Sequence, residues 1–389
     1  MSGVRILVDA VVVASALTAL AVTGRALARR PAAVGTAGRR VVSPAGWLVL
    51  VTALVYVNQV LFTVYVLRVR GGDPAFLARY LPAGWFDLAS GQPVVRALAE
   101  HWPLPGLLAP SVLRVQAFLE LPFVLLAFAT VVRWLDADLY RRIARSALLP
   151  AASASYTAVF CLVEWDLRNP YTVDDILIRV LSAVLTPLFL AWLAARDTST
   201  SRAPASVPGL LVFIGSLGAL GALVLVVYDT ALLYSLGRLD DRLPLALVAA
   251  VALLGLRTAA PRVSGASSPT LSFVVHALRH WLLLFFVPAL AIRYGLLFGT
   301  PLLALAVGAL TAGVACVRAV RATPDGPRLV VRLGGAVLAG GLAAALAARV
   351  TPPSYAEVTL LAAMGAFLVV GVAVCGLLDR ASGLRNIRG

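Results

Sequence analysis

The sequence predicts an all-α, polytopic transmembrane helix bundle, and three observations predict it. Of the 389 residues, 61% are hydrophobic and only 13% are charged. The apolar residues fall into repeated blocks close to the ~20 residues that carry a helix across a bilayer. The blocks are continuous rather than alternating, as in "LTALAVTG" or "GLLVFIGSLGALGALVLVV". Barrel strands alternate apolar with polar residues, and soluble helices show an amphipathic period. Inside lipid, a continuous run satisfies its own backbone only as a helix.

About eleven spans follow in order, at roughly 4–24, 44–67, 112–134, 146–164, 174–195, 207–229, 243–260, 271–292, 295–317, 329–348 and 356–378. The first has the length of a signal peptide, but Asp9 interrupts it and "TGRALARR" stands where a small-residue cleavage site belongs, so it is expected to be retained. The second carries Asn58 and Gln59, polar groups suited to hydrogen bonds between helices. The third carries Glu120 beside Pro122, and the fourth and fifth flank "VEWDLRNPYTVDD". The eighth and ninth are divided only by "IRYG". The last two place small residues at one-turn spacing, in "GGAVLAGGLAAALAA" and "GAFLVVGVAVCG", which permits close packing in lipid. The whole chain, 1–389, is expected to form one integral membrane domain: helices one to five over 1–196, a polar linker over 197–206, and helices six to eleven over 207–389.

The connection 68–111 is the long one. Loops beyond ~12–15 residues are usually functional or disordered, and this one is aromatic: Phe76, Tyr80, Trp85, Phe86 and Trp102 suit the headgroup level. Two short interfacial helices are expected in it, about 74–81 and 92–101.

The formal net charge is +15, and every basic residue is Arg. Lysine chemistry, such as a Schiff base, is therefore excluded. The arginines flank hydrophobic runs, as orientation signals do, so the expected partner is the bilayer and not nucleic acid. Arginine-dense connections such as "GRALARRPAAVGTAGRR" and "RWLDADLYRRIAR" are expected in the cytoplasm. That places the N-terminus outside, the C-terminus inside, and the acidic connection 163–175 outside, in a bacterial cytoplasmic membrane. Cys161, Cys316 and Cys375 lie in apolar runs with no CxxC pair, which gives neither a disulfide framework nor a metal knuckle. The cofactor is left unknown by the sequence.

Charge inside a membrane is expensive and marks candidate sites. Glu120, Arg179 and Asp9 qualify. In the acidic connection, Asp174 and Asp175 fall in a first helical turn behind Thr172 as N-cap, where the helix dipole favours them. Glu164 and Asp166 close the preceding helix, where the dipole disfavours them, with Arg168 the candidate partner of either. Glu164, Asp166 and Glu120 together offer acid–base groups in a partly dry cleft. His101, in the outer loop, is a candidate base. On the cytoplasmic side His276 and His280 share one helix face around Arg279, which reads either as a ligand pair or as a cationic helix entry.

Three functions fit these residues. One is a membrane-embedded biosynthetic or tailoring enzyme. It would act at the outer face on a lipid-linked or amphipathic substrate, a peptide included, through the carboxylates under the aromatic loop. Another is a proton-coupled exporter or permease using Asp9, Glu120 and Arg179. The third is a non-catalytic partner of another membrane or cytoplasmic subunit.

Overall fold

The computed structural model describes residues 2–28, 42–73, 87–89, 91–102, 111–168, 171–200, 204, 206–263, 269–298, 300–323, 326–351 and parts of 359–377. These residues are helical, with no strand among them. The helices are α1 (Ser2–Ala28), α2 (Pro44–Arg70), the short α3 (Pro93–His101), α4 (Ser111–Leu135), the short α5 (Ala137–Ala144), α6 (Leu148–Leu167), α7 (Thr172–Ala195), α8 (Val207–Val227), α9 (Leu239–Ala259), α10 (Pro269–Phe298), α11 (Pro301–Ala322) and α12 (Gly326–Val350). A π-helical turn, Tyr228–Leu232, continues α8. Among the described residues ten helices are long and apolar enough to cross a membrane, with a shorter apolar one at Gly365–Cys375. The chain is a multi-pass membrane helix bundle. The expected helix at 74–81 lies outside the described residues, as do parts of the expected span 356–378.

Two boundaries differ from expectation. "IRYG" does not break a helix: α10 runs through it to Phe298, and α11 starts at Pro301. One Gly inside a helix costs only ~1 kcal/mol, whereas Pro301 fits a first turn. The stop is fixed there by Asp9, which accepts hydrogen bonds from the Thr300 backbone N–H at 2.8 Å and from its hydroxyl at 2.5 Å. The second difference is α5, a helix inside an Arg-rich connection. Asp136 caps it, accepting from the N–H groups of Asp138 (2.9 Å) and Leu139 (3.2 Å). Its Leu139, Tyr140 and Ile143 are buried.

The chain forms two compact units. The first comprises Met1–Arg202, Val226–Leu243 and Leu283–Thr311. Within it α4 packs on α2 and α7, and α6 packs on α1 and α7, around buried Phe62, Phe123, Leu125, Leu126 and Tyr156. The outer face of α7 is apolar and exposed at Leu177, Val180, Leu181, Val184 and Leu188, the surface a lipid-facing helix presents. The second unit comprises Ala203–Leu225, Pro244–Leu282 and Ala312–Gly389. Its core holds Phe273, Ala319 and Leu329, with a second cluster of Leu210, Leu271 and Val275.

Candidate functional site

The first unit contains a charged centre built from helix faces. On α7 the inward positions Thr172, Asp175, Arg179, Ser182 and Thr186 recur every three to four residues, so they share one face. Thr172, Arg179, Ser182 and Thr186 are buried, and Asp175 is partly so. On α4, Gln116 and Glu120 stand one turn apart, and both are buried. The two faces meet where Arg179 Nη1 donates to Glu120 Oε2 at 3.0 Å. Ser182 donates to the Phe118 carbonyl at 2.7 Å, a second tie between the same helices. The Arg179 guanidinium also lies 3.8 Å from the centre of the Phe160 ring on α6, a cation–π contact.

Glu164 joins this group from α6. Thr172 does not cap α7 as expected; Tyr171 occupies the N-cap position, and Thr172 Oγ1 donates instead to the Glu164 carbonyl at 3.3 Å. The end of α6 and the start of α7 are thereby held side by side, with Glu164 half-buried between them. Asp174 and Asp175 lie in the first turn of α7, as expected.

A fourth wall comes from the π turn and the segment after it. Tyr228–Leu232 widens the helix, and the Ala231 carbonyl accepts from Gln116 Nε2 at 2.9 Å. Gln116 Oε1 in turn accepts from Asn58 Nδ2 of α2 at 3.2 Å, and Tyr56 and Thr230 share a hydroxyl bond of 2.8 Å. Asp229 in the same turn binds Arg238 (2.9 Å) and Arg242 (2.5 Å). Beyond it Tyr234 adopts φ +55°, a conformation uncommon for a bulky residue. The Tyr234 ring meets Phe62 at 5.0 Å, and its hydroxyl lies in fully packed surroundings. Burial pushes this phenol well above its ordinary range; Asp175 adds to the shift, Arg179 opposes it, and Glu120 and Glu164 add further. Tyr234 therefore stays neutral, donor and acceptor at once, among three carboxylates and a guanidinium.

Asp87, Leu88, Ala89 and Gln92 lie against this end. Asp87 N–H donates to the Tyr234 carbonyl at 3.3 Å, Gly237 N–H donates to the Asp87 carbonyl at 2.7 Å, and Gln92 hydrogen-bonds Asp240. A Cβ at Gly237 would fall on the Asp87 carboxylate and within 3.0 Å of the Ala89 nitrogen, so only glycine allows this approach. Leu88 and Ala89, with Val95 and Ala99 of α3, pack with Phe62 and Leu236, and Trp102, Tyr171 and Tyr234 lie against that cluster.

The remaining sequence candidates lie apart from this centre or serve other bonds. Asp166 is exposed. Arg168 does not serve as an acid partner: its guanidinium sits 4.8 Å from the Trp165 ring centre, and its Nε donates to the Trp165 carbonyl at 3.3 Å. His101 is exposed at the end of α3, with Nδ1 2.8 Å from the Ala97 carbonyl. Asp9 is engaged by Thr300. In the second unit His276 and His280 share a face, but His280 Nδ1 lies 2.8 Å from the His276 carbonyl; Arg279 between them is partly buried. Among the described residues no group of three or more His, Cys, Asp or Glu is arranged to hold a metal ion. The second unit also holds a largely apolar cavity of about 150 Å³ lined by Leu210, Ile214, Leu271, Val274 and Phe367, with Thr270 and Cys375 also on its wall.

Sequence reasoning joined Glu120 and Glu164, together with Asp166, and singled out Arg179 and Asp175 without adding them to that group; it missed Tyr234, Gln116 and the strap. The polar stripe of α7 was present as a signal in "TVDDILIRVLSAVLT", at positions i, i+3, i+7, i+10 and i+14. Compared with protein-family models, with curated proteins and with solved structures, the chain matches none.

Proposed function

We propose that this chain is a membrane-embedded biosynthetic or tailoring enzyme of a bacterial cytoplasmic membrane, acting at the outer face on a lipid-linked or amphipathic substrate. One observation carries the reading: the interior charges gather toward one end of the helices, under a stapled strap. Arg179 is seven residues into α7, about 10 Å below its start at 1.5 Å per residue. Glu120, its partner, is nine residues into α4, about 14 Å below its start at Ser111. Glu164 and Asp175 lie within one turn of their helix ends. A polar head at the membrane surface reaches that depth while its apolar tail stays beside the exposed face of α7.

In this reading Glu164 is the acid–base group, half-buried at the mouth of the cluster, and Tyr234 donates a hydrogen bond to the reacting head. Glu120 holds Arg179 in place through their 3.0 Å ion pair, so it orients rather than reacts. The test is a deletion strain complemented with wild type or Glu164→Gln at equal membrane levels. Mass spectrometry of extracted lipids and lipid-linked intermediates is expected to show an amphipathic species that accumulates on deletion, clears with wild type and persists with Glu164→Gln. A Glu164→Gln protein that restores the wild-type profile removes the acid–base assignment, and a deletion that leaves the profile unchanged removes the enzyme.

A further inference from the structure

We propose that the head group taken by this site is an organic cation, a protonated amine or quaternary ammonium carried on an apolar tail. The inference rests on the reading of the cluster as a substrate site and names the class of substrate. Three features lead to it. The helix faces that meet at the Arg179–Glu120 pair also carry Glu164 and Asp175, and all four groups act on the Tyr234 hydroxyl. Asp166 and Asp174 at the rim, against Arg168, keep the same sign. Beside these carboxylates a cation meets attraction that strengthens as water is excluded.

The walls are also aromatic. Phe62, Tyr234, Tyr171 and Trp102 share one packed cluster, and Arg179 already rests on the Phe160 face. Ring faces attract ammonium groups and are indifferent to or repel anions.

The independent observation is Gln59. It is 1% exposed, and neither its amide oxygen nor its amide nitrogen has a hydrogen-bond partner among the described residues. It precedes Phe62 by three residues, so both lie on one face of α2, the face whose ring meets Tyr234. Its neighbour Asn58 is bonded to Gln116, one turn from Glu120. A buried amide without a partner destabilises a fold, and this one is on the face of α2 that meets Tyr234, with an acceptor oxygen for an N–H donor.

The test uses the full chain in maltoside micelles and isothermal titration, with partition into empty micelles subtracted. The probes are dodecylamine, dodecyltrimethylammonium, dodecyl phosphate and dodecanol. Saturable binding is expected for the two cations and not for the phosphate or the alcohol. Glu164→Gln and Asp175→Asn should each weaken dodecylamine about tenfold, the scale of a lost charge-assisted hydrogen bond. Gln59→Leu should weaken dodecylamine while its melting temperature stays at or above wild type. His280→Ala, in the second unit, should bind as wild type does. Dodecyl phosphate binding as tightly as the amine, no saturable binding of either cation, or equal amine affinity in all variants overturns the proposal. Binding is read without turnover, so a failed complementation with intact amine binding removes the enzyme and leaves the cation site, and the reverse holds as well.

Discussion

Glu120 and Arg179 show how a membrane interior tolerates full charge. Each ion loses hydration on burial, and the loss is recovered only when the partner is close and the remaining polar atoms are engaged. Here the pair is 3.0 Å apart, with the guanidinium also on an aromatic face. Removing one partner strands the other, which typically costs about 3–5 kcal/mol. Glu120→Gln and Arg179→Gln should therefore each lower thermal stability strongly in micelles. The double replacement Glu120→Met with Arg179→Met should be less destabilised than either single variant, because it removes both desolvation costs. A Glu120→Gln protein that melts no lower than wild type would mean that the pair does not hold α4 to α7. Both residues were legible in the sequence, because charge within an apolar run stands out. Their pairing was not: they are 59 positions apart, and no local pattern reports a long-range contact. Gln59 and Tyr234 were still less visible. An amide inside a span reads as packing between helices, and a tyrosine after a span reads as an interfacial anchor.

At the scale of elements, regular helices followed from apolar runs, and irregular pieces did not. The helix α5 was hidden by its charges. "RWLDADLYRRIAR" looks like a solvated loop until Arg141 is seen to turn inward, donating to the Ser199 carbonyl at 2.9 Å and pairing with Asp138 and Asp197. The π turn left no signal either, since its widening depends on the Gln116 amide reaching Ala231 from another helix. The strap over the cluster belongs to the same class. Its two backbone bonds join segments far apart in sequence, and Gly237 is the position that lets them meet. Gly237→Ala forces the strands apart at that point and should cost about 1–3 kcal/mol, the usual range for overpacking. Hydrogen exchange at the amides of Asp87 and Gly237, the two donors, should accelerate, while amides in the middle of α4 and α7 keep their protection. Unchanged exchange at both donors would show that the strap is held by side-chain packing rather than by this close approach.

For the whole molecule, the direction in which the charged centre faces decides which leaflet supplies the substrate. Charge is sorted by end: Arg133, Arg141, Arg142 and Arg196 lie near the connections that follow α4 and α7, while Glu164, Asp166, Asp174 and Asp175 lie where α6 gives way to α7. Arginine-bearing short connections remain cytoplasmic because each Arg is costly to move across the bilayer, about 2.5–3.5 kcal/mol at its centre. Acidic residues contribute little to that bias, so the orientation rests on the arginines. With Cys161, Cys316 and Cys375 replaced by Ala, a cysteine at Asp166 should react with an impermeant maleimide on intact cells. A cysteine at Thr200, exposed after α7, should react only once the membrane is permeabilised. The opposite pattern would turn the strap and the carboxylates toward the cytosol. The cation-binding chemistry would stand, since it depends on local charge and ring faces. The substrate would then have to be a lipid of the inner leaflet, delivered by cytoplasmic biosynthesis rather than met at the cell exterior.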